Sequence, residues 1–544
     1  MMPGRVLLVG AEDEENLAIR YLAAGLEKEG NAAEIVACSR RSDFRNVLKA
    51  VKKTRPELIA VSLAFQSLTP MYLDLIKEIR AQGYSKHLTV GGHFATFEFK
   101  KILETQQGID SVIRFEGEIA IAALADALQK KQSLSAVPNL AFKSNGSIIE
   151  NECICEFPDL DKLPFPVRKQ KQDVRLGESF ATLVASRGCW HSSCLFCCIG
   201  AFHSKKKGKR FALRSSESVA EEMAQLYFKK GARLFQFHDD NFMMPTTAES
   251  VKRFSQLKRT IEAKGIPLEK VAFLIKARPD SINDEVGKAM KELGVIGVFL
   301  GVENASETGL QSLNRKTSLQ QVQNALRVLR EQDMAITFNL LIFHPNATPE
   351  EIEQNIAFLK ENTDTAFDFG RAEIVAGSPL ETLAKKEGLI NSNWPRPGYR
   401  IKDNRIERMF RIHIRTFHGE NSPYTSVVHQ NIAFSYHLHV LKRLHPGRVV
   451  DEISREASQL VSKANYFIAA KLEEMYKMSE HELDDAEIEA FYKDLSGKCN
   501  GFYKEIIKLN NRMNRVSIAD KVFNRFSVRE FAQQTTAIRK ILRL

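Results

Sequence analysis

The chain has 544 residues, 44% of them hydrophobic, with 78 Lys and Arg against 67 Asp and Glu for a net charge of +11. That size supports two or three packed domains. No stretch approaches the ~20 apolar residues of a membrane span, the start "MMPGRVLLVG" lacks a long apolar run with a cleavage site, and no basic stripe is interleaved with aromatics, so a cytoplasmic protein without membrane or nucleic-acid partners is expected.

The first ~140 residues alternate β-rich runs ("RVLLVG", "AAEIVA", "ELIAVSL", "HLTVGG", "DSVIRF") with amphipathic stretches such as "NLAIRYLAAGLEKEG". This predicts a doubly wound parallel sheet over 1–145. Residues 146–178, with an Asn-Gly turn signal and three prolines in "PDLDKLPFPVRK", read as a small hairpin and an extended linker. In such a sheet ligands sit at the C-terminal strand ends. Those ends carry Ser62 and Leu63 in "VSLAF", and Gly91, Gly92 and His93 in "VGGHFAT". Paired glycines admit close backbone approach and a serine hydroxyl can bond a ring nitrogen, although Gly-Gly is also an ordinary turn.

A second alternation runs over 179–385, with strand candidates "FATLVAS", "RLFQFHDD", "VAFLIKA", "VFLGVE", "ITFNLLIF" and "FDFGRAEIV". Six βα units predict a partial or closed (β/α)6 barrel, whose functional groups gather at the strand ends, where Cys189, Asp239, Arg278, Glu303 and His344 fall. From 386 to 544 strand signals fade and a helical stripe persists, for example Val461, Ala464, Ile468, Leu472 and Met475. At its entry Trp394, Tyr399 and Arg400 suit either substrate contact or a domain-junction turn.

Four of the eight cysteines lie in "GCWHSSCLFCC", residues 188–198, a clustering that suggests metal or redox chemistry rather than disulfides. Cys189, Cys194 and Cys197 can hold three irons of a 4Fe-4S cluster and leave the fourth open. A zinc knuckle completed by Cys198, His191 or His203 satisfies the same spacing. The basic run "HSKKKGKRF" that follows reads as a solvated loop, or as a dock for an acidic electron donor.

"SRGCWHSSCLFC", with Phe196 before its last cysteine, resembles the three-cysteine loop of the radical S-adenosylmethionine (SAM) superfamily. It departs from the common spacing by one extra residue between Cys189 and Cys194, so the loop must bulge. "FQFHDDNF", "KARPDS" and "FLGVENAS" extend the likeness. The resemblance implies that Asp239, Asp240 and Asn241 lie near SAM or substrate and that Arg278 and Glu303 contact SAM, the alternative for each being a structural ion pair or cap. Residues 5 to 145 resemble the cobalamin-binding domain that precedes this barrel in one subgroup, with Ser62, Leu63, Gly91, Gly92 and His93 at the nucleotide-tail pocket or corrin edge. The loop "GAEDEEN" lacks the axial histidine of cobalamin mutases, which implies base-off cobalamin.

The cofactors implied are a 4Fe-4S cluster, SAM and cobalamin, with a one-electron donor such as flavodoxin or ferredoxin and a small-molecule or peptide substrate. The activity implied is methyl transfer to an unactivated carbon, less often phosphorus. A radical cyclisation or rearrangement on the same cofactors is the alternative, and a non-catalytic zinc- or corrinoid-binding protein the alternative from another class. A methylthiotransferase is disfavoured, since the N-terminal region has no second cysteine triad.

Overall fold

The structure, a computed structural model, describes residues 4–169, 173–204, 206–207, 209–417, 423–482 and 484–525. In chain order its strands are β1 (Arg5–Gly10), β2 (Ala32–Ala37), β3 (Leu58–Ser62), β4 (His87–Gly91), β5 (Ser111–Ile113), β6 (Leu140–Ser144), β7 (Ser147–Glu150), β8 (Val174–Arg175), β9 (Glu178–Leu183), β10 (Ser186–Gly188), β11 (Phe211–Leu213), β12 (Ala232–Phe237), β13 (Ala272–Ala277), β14 (Val295–Glu303), β15 (Ala335–Phe343) and β16 (Ala366–Arg371). Two compact units result, and they do not follow chain order. The first gathers Met1–Lys171, Val184–Ser218 and Glu373–Tyr399; the second gathers Gln172–Leu183, Val219–Ala372 and Arg400–Leu544.

The first unit is built on a sheet of order β2-β1-β3-β4-β5-β6-β7, parallel through β5. Strand alternation explains its two cores: Leu7, Val9, Ile59 and Val61 enter one, while Val6, Leu8, Leu58 and Ala60 enter the other. The order reverses between β1 and β3, the switch point where such sheets bind ligands. The expected Asn-Gly turn is present, with Asn145 and Gly146 both left-handed (φ 48° and 78°) between β6 and β7. This hairpin is the antiparallel edge of the sheet, which therefore runs to Glu150. The extended segment after it returns over the first helix, where the Val167 N–H donates to Arg20 O at 3.2 Å.

The second unit holds an open sheet of order β16-β15-β14-β13-β12-β9-β8. Six of these strands are parallel, β8 joins antiparallel, and β16 does not pair back, which makes a partial barrel. The helices after β12, β13, β14 and β15 are capped by Thr246, Asn283, Ser306 and Thr348, each accepting a backbone N–H, a bond worth about 1 kcal/mol. These caps stop the chain sharply beyond each strand and leave short loops at the strand ends. Four long helices follow, Asn404–Thr416, Pro423–Leu444, Arg448–Met478 and Asp485–Arg525, and the expected stripe Val461, Ala464, Ile468, Leu472 and Met475 is buried. No helix among the described residues is long and apolar enough to cross a membrane.

Candidate functional site

In the first unit the cysteine loop hangs from the β10–β11 ribbon, which pairs Ser186 with Leu213 and Gly188 with Phe211. Backbone packs on backbone here: a Cβ at Gly188 would collide with Arg210 O, and one at Gly200 with Ser192 O. Ser192 takes the left-handed conformation (φ 44°) between the first two cysteines, where the extra residue has to be absorbed, and Arg210 donates to its Oγ at 2.8 Å. The Cys197 N–H turns back to Cys194 O at 3.2 Å. Cys198 precedes the one-turn helix Ile199–Phe202; Cys194 and Cys198 are buried, while Cys189, Phe196 and Cys197 are partly exposed. Among the described residues no three His, Cys, Asp or Glu side chains converge on a single metal position. His203 is held neutral, with burial pushing its pKa down to about 3.

Two part-buried ion pairs fasten this loop to the rim of the N-terminal sheet. Arg187 meets Glu118 at 2.6 Å, and Lys206 meets Glu116 while donating to the carbonyls of Glu156 and Ile154 at 2.8 and 3.3 Å. Arg187 and burial act oppositely on Glu118, with the net effect of holding it below its ordinary range; burial raises Glu116 despite Lys206. Between them Phe202 packs its ring on His93, Phe115 and Phe97, with centroids at 4.3, 5.6 and 6.4 Å. Sequence reasoning missed this docking. It took the basic run as solvated, and the structure corrects that for Lys206, which is buried.

Ser62 and Gly91 are register partners at the rim, and the Leu63 N–H donates to Gly91 O at 2.7 Å. The Ser62 hydroxyl makes no hydrogen bond among the described residues, an open donor for a ligand. Leu63 follows β3 with its side chain in the core, which leaves its backbone at the rim. Gly92 has a packing reason of its own: at φ 103° a Cβ would lie 2.7 Å from Ala64 N. The loop after β1 is filled by acids turned onto arginines, with Glu12 and Glu15 at 2.6 and 3.0 Å from Arg20, and Arg168 also on Glu15. Of the three residues that suit either substrate contact or a junction turn, Trp394 donates to Glu98 at 2.8 Å, Tyr399 is fully buried, and Arg400 donates to Asn404 at 2.7 Å.

In the second unit Asp239, Asp240, Asn241, Arg278, Glu303 and His344 all stand at or just beyond strand ends. They differ in what they are committed to. Arg278 forks onto Asp280 at 2.9 and 2.8 Å and donates to Arg315 O and Thr317 Oγ1. His344 is bound to Glu351 at 2.9 Å, both buried. Asp239 is buried near Arg253, and Asp240 is exposed. Asn241 accepts from Met243 N at 3.2 Å, while its Nδ2 is buried without a partner. Glu303 ends β14 in the left-handed region (φ 67°), an unfavourable conformation for a non-glycine residue and one that marks functional sites. Burial lifts its carboxyl above the ordinary range, against the pull of Arg315 and Arg278. An orphaned amide donor and a poorly neutralised carboxylate suit a ligand with both a carboxylate or ribose and an ammonium.

Residues 183–359 match the radical SAM superfamily, and residues 5–125 match the B12 binding domain. An uncharacterized methyltransferase of Pyrococcus horikoshii is 28% identical over 387 residues, 70% of this chain and 80% of its own length. The hopanoid C-3 methylase of Methylococcus capsulatus is 26% identical, over 60% of this chain and 61% of its own. The anaerobic magnesium-protoporphyrin IX monomethyl ester cyclase of Cereibacter sphaeroides is 24% identical, over 62% and 55%. Among solved structures, the cobalamin-dependent SAM radical enzyme OxsB with aqua-cobalamin and SAM bound matches with a TM-score of 0.64 at 17% identity, over 94% of this chain and 84% of that one, a likeness of fold. Cysteine loop, partial barrel and switch-point sheet agree with both family matches: the chain is a radical SAM superfamily enzyme with a B12-binding domain.

Proposed function

We propose that the chain is a cobalamin-dependent radical SAM methyltransferase that moves a SAM-derived methyl group to an unactivated carbon, or less often phosphorus, of a small-molecule or peptide substrate. The observation that carries the reading is the docking of the cysteine loop, through Arg187–Glu118 and Lys206–Glu116, onto the ligand-binding rim of the B12-type sheet within one compact unit. Cys189, Cys194 and Cys197 would hold the 4Fe-4S cluster; Asn241 and Glu303 would hold SAM; Ser62 and the Gly91–Gly92 backbone would hold cobalamin, base-off for want of a histidine after β1. When bound, these groups supply a carbon-centred radical and a methyl carrier. A cytoplasmic setting and a flavodoxin or ferredoxin donor go with this reading, and exposed Lys207, Lys209 and Arg210 offer an acidic donor a contact.

The test is product analysis with methyl-deuterated SAM. S-adenosylhomocysteine and 5'-deoxyadenosine should both accumulate in step with product, which keeps the label intact. Similarity to the magnesium-protoporphyrin ester cyclase favours a second reading, radical cyclisation without methylation. Deoxyadenosine formed with substrate consumed, but without S-adenosylhomocysteine or label in product, would establish that reading instead.

A further inference from the structure

The register of the second unit's sheet identifies one face. Lys276 pairs with Phe299, Phe299 with Thr337 and Thr337 with Ala366 in one row, and Asn339 pairs with Asp368 two positions on. Partners in a parallel sheet share a face, and residues two apart share it too. The opposite face, including Val298, Leu300 and Phe338, is buried. At one end of the first face the helix Pro423–Leu444 forms a plug. Its Tyr436 hydroxyl lies 2.5 Å from Thr337 Oγ1, its ring lies 2.7 Å from where a Cβ on Gly297 would stand, and its Tyr424 donates to Asp368 at 3.0 Å. Toward the strand ends the face is open: Phe299 is 37% exposed, Lys276 and Asn339 are partly exposed, and a Cβ at Gly370 would meet nothing within 4 Å.

Three groups on this open part have no use in the fold. The Lys276 ammonium makes no ion pair or hydrogen bond among the described residues. Asn339 Oδ1 is buried without a partner. Phe299 is the register partner of Lys276 and stays 37% exposed. Buried acceptors are ordinarily paired, so the orphaned Asn339 Oδ1, on the same open face as a part-exposed cation with no protein partner, points to a ligand that uses both. We infer that this face is the substrate site and that Lys276 selects a small molecule carrying an anionic group beside a planar or apolar body, the anion on the ammonium, the body over Phe299 and a donor toward Asn339. This rests on the enzyme reading above and adds the substrate class to it.

Fluorescence titration of full-length, cluster-loaded protein with 2-naphthoate and its neutral analogue 2-naphthamide tests it. Naphthoate should bind at least about tenfold tighter, as one charge-assisted hydrogen bond provides. Lys276→Met should abolish that preference with naphthamide binding unchanged, Lys276→Arg should keep it, and Phe299→Ala should weaken both probes. Unchanged unfolding midpoints confirm that the variants fold. No binding, equal binding of the two probes, or a preference that survives Lys276→Met overturns the assignment. Competitive displacement of naphthoate by SAM overturns it too, by making Lys276 a cofactor ligand. None of these titrations needs turnover, so a failure of methyl transfer would show in product analysis and not here.

Discussion

Glu303 concentrates two kinds of cost in one residue, a left-handed backbone and a carboxyl whose pKa is raised by burial. A raised carboxyl binds more protons folded than unfolded, so its contribution to stability falls as pH climbs from the ordinary carboxylate range through the folded pKa. Glu303→Gln removes that dependence. The variant without cofactors should therefore be more stable than the parent at neutral pH in denaturant titrations, and the two should converge near pH 4. SAM affinity, measured by equilibrium dialysis, should fall in the same variant, because the lost charge is the one held for an ammonium or ribose. A destabilised variant at neutral pH would make Glu303 a structural partner of Arg315. The cysteines separate by a similar argument. Three thiolates suffice when the fourth iron stays open, so Cys198→Ala should keep the iron content and charge-transfer absorbance that Cys189→Ala, Cys194→Ala and Cys197→Ala each lose. Loss with Cys198→Ala would move the third ligand from Cys197 to Cys198.

At the scale of elements, the β10–β11 ribbon and the loop it carries owe their position to few contacts, with Arg187–Glu118 the best formed. Removing one partner of a part-buried pair leaves the other charge poorly compensated, at a cost of up to about 3 kcal/mol. Glu118→Gln should speed hydrogen exchange across 186–213 in protein without cofactors while leaving β1 to β4 protected, and Arg187→Met should add little to it in a double-mutant cycle. Additive effects would mean the two residues act separately. This pair also shows where sequence reading stops. The strands were legible because buried parallel strands are near-continuous apolar runs ended by Gly, Pro or polar residues, and all eleven predicted strands of the two sheets formed. The Asp-Asp-Asn, Arg and Glu positions were legible because they follow such runs. The partner of an ionic group is not written locally: "HSKKKGKRF" displays its charge but not that Lys206 meets Glu116, and nothing in "GVFLGVE" says that Phe299 stays open.

At the scale of the whole molecule, the compact units cut across the linear order that the sequence suggests. Segment 373–399 belongs with the N-terminal sheet, and one amide bonds it three times: Gln66 donates to Ile374 O and Pro395 O at 3.1 and 2.8 Å and accepts from Ala376 N at 2.8 Å. Ala376 joins one of that sheet's two cores and Trp394 packs against it, while Phe202 covers Phe97, Phe115 and His93. A contact spanning some three hundred residues leaves no periodic trace, which is why a sequence reading that places the first sheet over 1–145 carries no sign of it. Physically, a fragment of residues 1–169 keeps all seven strands yet uncovers the aromatic rim where Ser62 and the two glycines stand. It should unfold at lower denaturant than the first transition of the full chain, bind the dye 8-anilinonaphthalene-1-sulfonate in its native baseline, and retain hydroxocobalamin more weakly on gel filtration, because the rim loses the Phe202 and Trp394 cover. A fragment that matches the full chain in all three respects would show that the cysteine loop and the 373–399 segment merely rest on a complete domain.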